Sequence, residues 1–268
     1  MKKKLTALSV YLLTALLVFS TVAYAAAENN GRDQDRLFQY STINAVMQGQ
    51  YDGEMTLKEL NTHGSMGLGT LNGLDGELIQ LDNKFYQVNS KGQVKELKGN
   101  VKTPFAVTTE FDAEKTVTLS NVKDFQDFSE KLKTKFDNKN HFYAIKIHGK
   151  FDSIKNRSVP KQTRPYPPLT EVTPHQTVFE ENNVRGTIIG FYTPNYASSI
   201  QVPGFHMHFL SDDKTKGGHI LDVKFDSAKV EIQQLSEFDL VLPDTADFAN
   251  ADLTKTTVED IEEAERGK

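Results

Sequence analysis

The stretch "PGFHMHFLSDDKTKGGHILD", residues 203–222, carries three of the seven histidines in a chain of 268 residues. Strand side chains alternate between two faces, so Phe205, Met207 and Phe209 fall on one face and His206 and His208 on the other. The polar run from Asp212 to Gly218 ends Gly-Gly, which reads as a hairpin loop, and "HILDVKF" reads as the returning strand. His219 opens that strand. A register that sets it opposite residue 208 or 210 turns all three imidazoles the same way. Leu221, Val223 and Phe225 alternate in step with His219, so an apolar wall on the histidine face is expected.

Working outward, "VRGTIIGFYTP" and "KVEIQQL" extend an antiparallel β region on either side of the hairpin. Upstream, "KNRSVPKQTRPYPPLTEVTPHQTVFEENN" holds five prolines and no sustained period. It reads as a long ordered loop, and a boundary between two sheet layers is placed near residue 155. "HFYAIKIHGKFDSI" alternates as a strand, while Val122, Phe125, Phe128, Leu132 and Phe136 recur at intervals of three and four, the mark of an amphipathic helix. "PFAVTTEF", "KTVTLS" and the glycine-rich residues 56–88 read as short strands with tight turns. "LFQYSTINAVMQGQYDG" reads as a short helix closed by Gly49, and "TKTTVEDIEEAERGK" as a terminal helix. The expected fold is α/β in the mixed α+β sense. The pattern divides the chain into an N-terminal part of short strands and one clear helix, residues 37–155, and a C-terminal, mostly antiparallel part that bears the histidines and the tail, residues 156–268.

The first residues set the expected compartment. Lys2, Lys3 and Lys4 precede the apolar run "LTALSVYLLTALLVFSTV" and a small-residue "AYA" at 23–25, the pattern of a secretory signal peptide over residues 1–25. Residues 26–36 are polar and expected to be disordered. Cleavage leaves a secreted protein without stable membrane association, whereas an uncleaved run is about long enough to anchor the chain in a membrane; the small-residue end favours cleavage. The absence of cysteine removes disulfides, a lipid-anchor cysteine and thiolate zinc sites. A net charge of −5 with no concentrated basic face argues against a nucleic-acid partner and leaves a small molecule or another protein.

Three neutral imidazoles that leave a coordination position open are what a catalytic zinc site requires. The same residues also fit a plainer description, with His206 and His208 facing solvent and His219 in a turn. Glu77, in "GTLNGLDGELI", begins an apolar run where its carboxylate either enters a pocket or stays at a strand edge. Arg157, in "KNRSVP", is either a surface loop arginine or a bidentate holder of a carboxylate substrate. His63, His141, His148 and His175 lack partner spacing and read as structural. A metallohydrolase with Glu77 as general base, or a secreted module that uses a metal to capture a ligand, would employ the same constellation.

In "LNTHGSMGLGTLNGLDGELIQLD", "KNRSVPKQTRPYPPL", "GTIIGFYTPNYASSIQVPGFHMHFLSDDKTKGGHILD" and the acidic tail, the sequence resembles the bacterial alpha-acetolactate decarboxylases, and is similar to their secreted Bacillus-type members. The resemblance implies a zinc lyase that converts 2-acetolactate, a 2-hydroxy-3-oxo acid, to (R)-acetoin and carbon dioxide through a metal-chelated enediolate, on the route to 2,3-butanediol. It implies His206, His208 and His219 as metal ligands, and Glu77, Glu265 and Arg157 as catalytic and substrate-binding residues, with Thr70 as a further substrate-binding residue. It also implies a two-part α/β fold, with an N-terminal mixed sheet and a C-terminal antiparallel sheet that carries the metal, assembled as a homodimer through the N-terminal sheets. Taken alone, "VEDIEEAERGK" around Glu265 reads as a solvated helix end.

Overall fold

The computed structural model describes residues 35–266. The expected signal peptide and the polar residues up to 34 lie outside the described residues. Two large sheets carry the fold. The first has seven strands in the order β14 (Glu237–Val241), β1 (Arg36–Tyr40), β8 (Ala106–Thr109), β3 (Met66–Thr70), β4 (Glu77–Leu81), β5 (Lys84–Val88) and β6 (Val94–Glu96). It is mixed, because β1 runs parallel to β14 and antiparallel to β8. A short pair, β2 (Met55–Thr56) with β7 (Lys102–Thr103), lies apart from it.

The second sheet contains β9 (Lys115–Val122), β10 (Phe142–Ser158), β11 (Thr177–Thr193), β12 (Gly204–Ser211) and β13 (Gly217–Leu235). β11 and β13 each pair with both β10 and β12, so these four strands close on themselves as a small barrel. Alternation along β12 then decides what faces where. Phe205, Met207 and Phe209 join Phe151 and Phe225 in the apolar interior. Helix α3 (Phe125–Lys133) adds Phe128 and Leu132 to that core. The opposite face of β11 and β12 presents Ile189, Phe191 and Leu210 to Leu68, Ile79 and Val107 of the seven-stranded sheet. His206 and His208 belong to this outward face, so the histidines sit between the sheets.

The helix predicted from Val122 to Phe136 is present in its centre. The Asp124 carboxylate caps it by accepting from the Asp127 N–H at 2.8 Å. Val122 ends β9 and Phe136 follows the helix, yet both still enter the barrel core. The remaining helices are short: α1 (Ile43–Met47), α2 (Leu57–Leu60), α4 (Leu169–Val172) and α5 (Ala246–Asn250) precede the terminal α6 (Val258–Arg266). Among the described residues, no helix is long and apolar enough to cross a membrane.

Three expectations need correction. The boundary near residue 155 falls inside β10, β9 and β10 belong to the second sheet, and β14 returns the chain to the first. The prolines explain the error: they occupy only positions 160–174, and the proline-free flanks pair fully as β10 and β11. "LFQY" is β1 rather than helix, with Arg36 already in the strand. Ser41, at φ 67°, separates it from α1, whose Thr42 side chain accepts from the Ala45 N–H. Finally, Leu221 is skipped in the pairing of β10 with β13. The bulge reverses the alternation, so Val223 and Phe225 point into the barrel with Ile220 instead of walling the face of His219.

Candidate metal centre

The β12–β13 register sets His208 directly opposite His219. One nitrogen from each of His206, His208 and His219 lies within 4.8 Å of the others, and all three side chains are buried. His208 Nδ1 stands 2.9 Å from the Leu78 carbonyl oxygen, and His219 Nε2 stands 2.7 Å from the Glu265 carbonyl oxygen. A carbonyl only accepts, so these two nitrogens carry the protons. The other nitrogen of each neutral ring, Nε2 of His208 and Nδ1 of His219, then presents a bare lone pair to the site.

Those two atoms have no hydrogen-bond partner among the described residues. Burial holds the rings neutral. It pushes the pKa of His206 down to about 3 and those of His208 and His219 well below the usual imidazole value, and the Arg157 charge adds to the effect in each case. Two unprotonated, unpartnered nitrogens, converging with a nitrogen of the neutral His206 ring in a buried site, form a donor set for a divalent cation, and the two carbonyls are the outer partners that orient such ligands.

Glu77 begins β4, across from Thr70 at the end of β3. The turn between them depends on Gly76: its φ is 77°, and a Cβ there would stand 2.2 Å from the Val88 carbonyl oxygen. Glu265 comes from the last turn of α6, where Ile261 and Ala264 are buried in the intersheet core. Arg157, near the end of β10, lies between the two acids. Its Nη1 donates to Glu77 Oε1 at 3.3 Å and its Nη2 to Glu265 Oε2 at 3.2 Å.

The carboxylates also approach the imidazoles. Glu77 Oε2 is 3.6 Å from His208 Nε2, and Glu265 Oε2 is 3.6 Å from His206 Nε2 and 3.5 Å from His219 Nδ1. Two ligands bound at about 2.1 Å and at the tetrahedral angle stand about 3.4 Å apart. The spacing therefore suits groups that share a cation. Burial raises the Glu77 pKa to about 7 against the opposing pull of Arg157, and burial likewise raises that of Glu265.

A small cavity opens beside these groups. Thr70, Glu77, Arg157, His206 and Glu265 form its polar side, and Val46, Leu74, Val159 and Leu169 belong to its apolar side. The Thr70 hydroxyl donates to the Gly76 carbonyl at 2.7 Å. All seven residues singled out in the sequence thus meet in one place. His63 is instead stacked on Phe38, and His148 pairs with Asp212 at the surface.

The sequence profile of the alpha-acetolactate decarboxylases matches residues 37–255. The chain belongs to the alpha-acetolactate decarboxylase family. It is accordingly an enzyme of the carboxy-lyase class. The alpha-acetolactate decarboxylase of Brevibacillus brevis is 55% identical over 240 residues, which is 90% of this chain and 84% of that protein. The Bacillus subtilis strain 168 decarboxylase is 38% identical over 231 residues, 86% of this chain and 91% of its own length. A crystal structure of alpha-acetolactate decarboxylase from that strain superposes with a TM-score of 0.83 at 38% identity, covering 86% of this chain and 99% of the other. The profile match ends before α6, so in this decarboxylase the placement of Glu265 rests on the structure itself. Sequence reasoning missed the apolar side of the cavity: Val46 and Leu169 come from short helices whose composition marks them only as core.

Proposed function

We propose that the chain decarboxylates 2-acetolactate to acetoin and carbon dioxide, with zinc held by His206, His208 and His219. The observation that carries this reading is the buried arginine between two buried carboxylates, set beside three unprotonated imidazoles in a small cavity with one apolar side. The substrate has matching halves: a carboxylate, hydroxyl and ketone on one side and two methyl groups on the other. Zinc suits an all-imidazole donor set and would supply Lewis-acid polarisation of the hydroxyl and ketone oxygens.

Arg157 supplies the fixed positive charge that orients the substrate carboxylate. Loss of carbon dioxide leaves an enediolate, which takes up one proton at the carbon that held the carboxylate to give acetoin. Glu77 and Glu265 flank the Arg157 guanidinium that would hold that carboxylate. Glu77, whose carboxyl titrates near neutrality in the metal-free site, is suited to hold and return a proton. Thr70 and the apolar wall restrict the orientations open to the substrate, which supports protonation from one face and the R product. The burial of the site excludes water and strengthens these charges.

Secretion after removal of residues 1–25 belongs to the same reading and is supported by Lys2–Lys4, the apolar run and "AYA". So does a homodimer, supported by the terminal strands β6 and β14, whose outer backbone groups offer an edge to a second copy. The deciding experiment incubates the zinc-loaded protein with racemic 2-acetolactate and measures carbon dioxide and acetoin chirality. Stoichiometric carbon dioxide with R-acetoin is expected. Binding without turnover would instead favour a ligand-capturing module, and turnover of esters or amides with none of acetolactate a hydrolase.

A further inference from the structure

The two strands that carry the histidines are hydrogen-bonded to each other over only three residue pairs, His208 with His219, Phe209 with Gly218 and Leu210 with Gly217. Beyond the first of these the strands part. The pairing of β13 with β10 skips Leu221, and Asp222 turns its carboxylate to accept from the Phe125 N–H at the start of α3. His206, two residues further along β12, is therefore held against His219 by no strand pairing. On that stretch β12 pairs with β11, with Phe191 opposite His206, and a direct tie to the β13 side would further fix the separation of the two imidazoles.

The last turn of α6 provides that tie. On the β13 side, the Glu265 carbonyl accepts from Nε2 of His219 at 2.7 Å. On the β12 side, Arg266 Nη2 donates to the Pro203 carbonyl at 3.0 Å, at the entry to the strand that bears His206. The guanidinium lies directly on Gly204, where an added Cβ would stand 2.6 Å from Nη2. Ile261 and Ala264 anchor the same turn in the intersheet core. Two consecutive residues of the tail thus reach the two strands from which the imidazoles project.

We infer that Arg266 and the main-chain carbonyl of Glu265 are positioning groups of the metal centre, and that docking of α6 and binding of the metal are one coupled equilibrium. The inference rests on the three-histidine metal reading and goes beyond it, because neither group touches substrate or metal. Coupling of this kind is reciprocal: a docked tail raises metal affinity, and bound metal holds the tail down by the same factor. Loss of an outer partner of a metal ligand typically weakens binding about 10- to 100-fold.

The test uses the full chain and zinc alone, titrated against a chromophoric chelator, with cobalt substitution to report ligand geometry through its visible absorption. Hydrogen exchange of residues 258–266 is followed with and without zinc. Arg266→Ala is expected to weaken zinc binding at least about tenfold and alter the cobalt spectrum while the sheets melt as in the parent. Arg266→Lys, which can still donate to the Pro203 carbonyl, should recover much of the affinity. Zinc should slow exchange in α6 of the parent chain, and less so in Arg266→Ala. Parental zinc affinity in Arg266→Ala, or α6 exchange indifferent to zinc in the parent, overturns the coupling and leaves the metal reading standing. Failure of the parent chain to bind zinc at all overturns both.

Discussion

Arg157 sits directly across from His219 in the antiparallel register of β10 and β13, so the guanidinium and a metal-site imidazole project from adjacent strands. This rung places the Arg157 guanidinium beside the histidines and between Glu77 and Glu265. A lysine there keeps the charge but loses the planar fork that reaches both acids. Arg157→Lys is therefore expected to depress kcat/KM for 2-acetolactate by about 100-fold or more, since small misplacements of an orienting group cost that much. Zinc content and melting temperature should stay near the parent values. Near-normal kinetics would show that Arg157 does not orient the substrate.

The hairpin and its histidines were legible in the sequence because both rest on local rules, the two-residue strand period and a polar Gly-Gly turn. What escaped was set by distant partners. Nothing within "LFQY" distinguishes a strand from a helix start; its strand state comes from pairing with β8 and β14, elements far off in sequence. The bulge at Leu221 is a property of the pairing with β10, so alternation read along β13 alone sends Val223 and Phe225 to the wrong face. Glu265 shows the limit most clearly. Its spacing looks like a solvated helix end, and only the burial of Ile261 and Ala264 turns it inward.

Each of His206→Ala, His208→Ala and His219→Ala removes one of three converging donors. Elemental analysis of the purified variants should show near-complete loss of the stoichiometric metal found in the parent, with activity lost in parallel. Parental metal content in any one variant would remove that histidine from the ligand set.

The metal-free protein should lose stability on mild acidification. The three imidazoles have folded-state pKa values depressed by burial, so the stability they contribute is present above their unfolded value of about 6.5 and is lost as pH falls below it. Glu77 acts with the opposite sign. Its folded pKa is raised to about 7, so its contribution is present below the unfolded carboxyl value and is lost as pH rises through 7. Between pH 5 and 6.5 the three histidines outweigh Glu77 and Glu265. Urea titrations of chelator-treated protein should give a lower unfolding free energy at pH 5 than at pH 7. Glu77→Gln removes one opposing proton and should steepen that decline. A flat profile, or stability that increases toward pH 5, would contradict the buried neutral state of the histidines.

Neighbouring acids in α6 provide the sharpest comparison within the tail. Helical periodicity puts Ile261, Ala264 and Glu265 on one buried face, while Glu263 is exposed. Glu265→Gln keeps the side-chain size and the main-chain carbonyl that holds His219, and removes only the ionisable carboxyl beside Arg157 and the imidazoles. Turnover should fall by about two orders of magnitude, the scale of losing a positioned acid or base, and Glu263→Gln should turn over like the parent. Truncation after Ala264 removes the carboxylate, the carbonyl and the Arg266 guanidinium together. It should lower zinc affinity more than Glu265→Gln does, because His219 then loses the acceptor that fixes its proton on Nε2. Measured side by side, kcat and zinc affinity separate the role of the Glu265 carboxylate from that of the docked tail end as a whole. Full activity in the truncated chain would show that neither role exists.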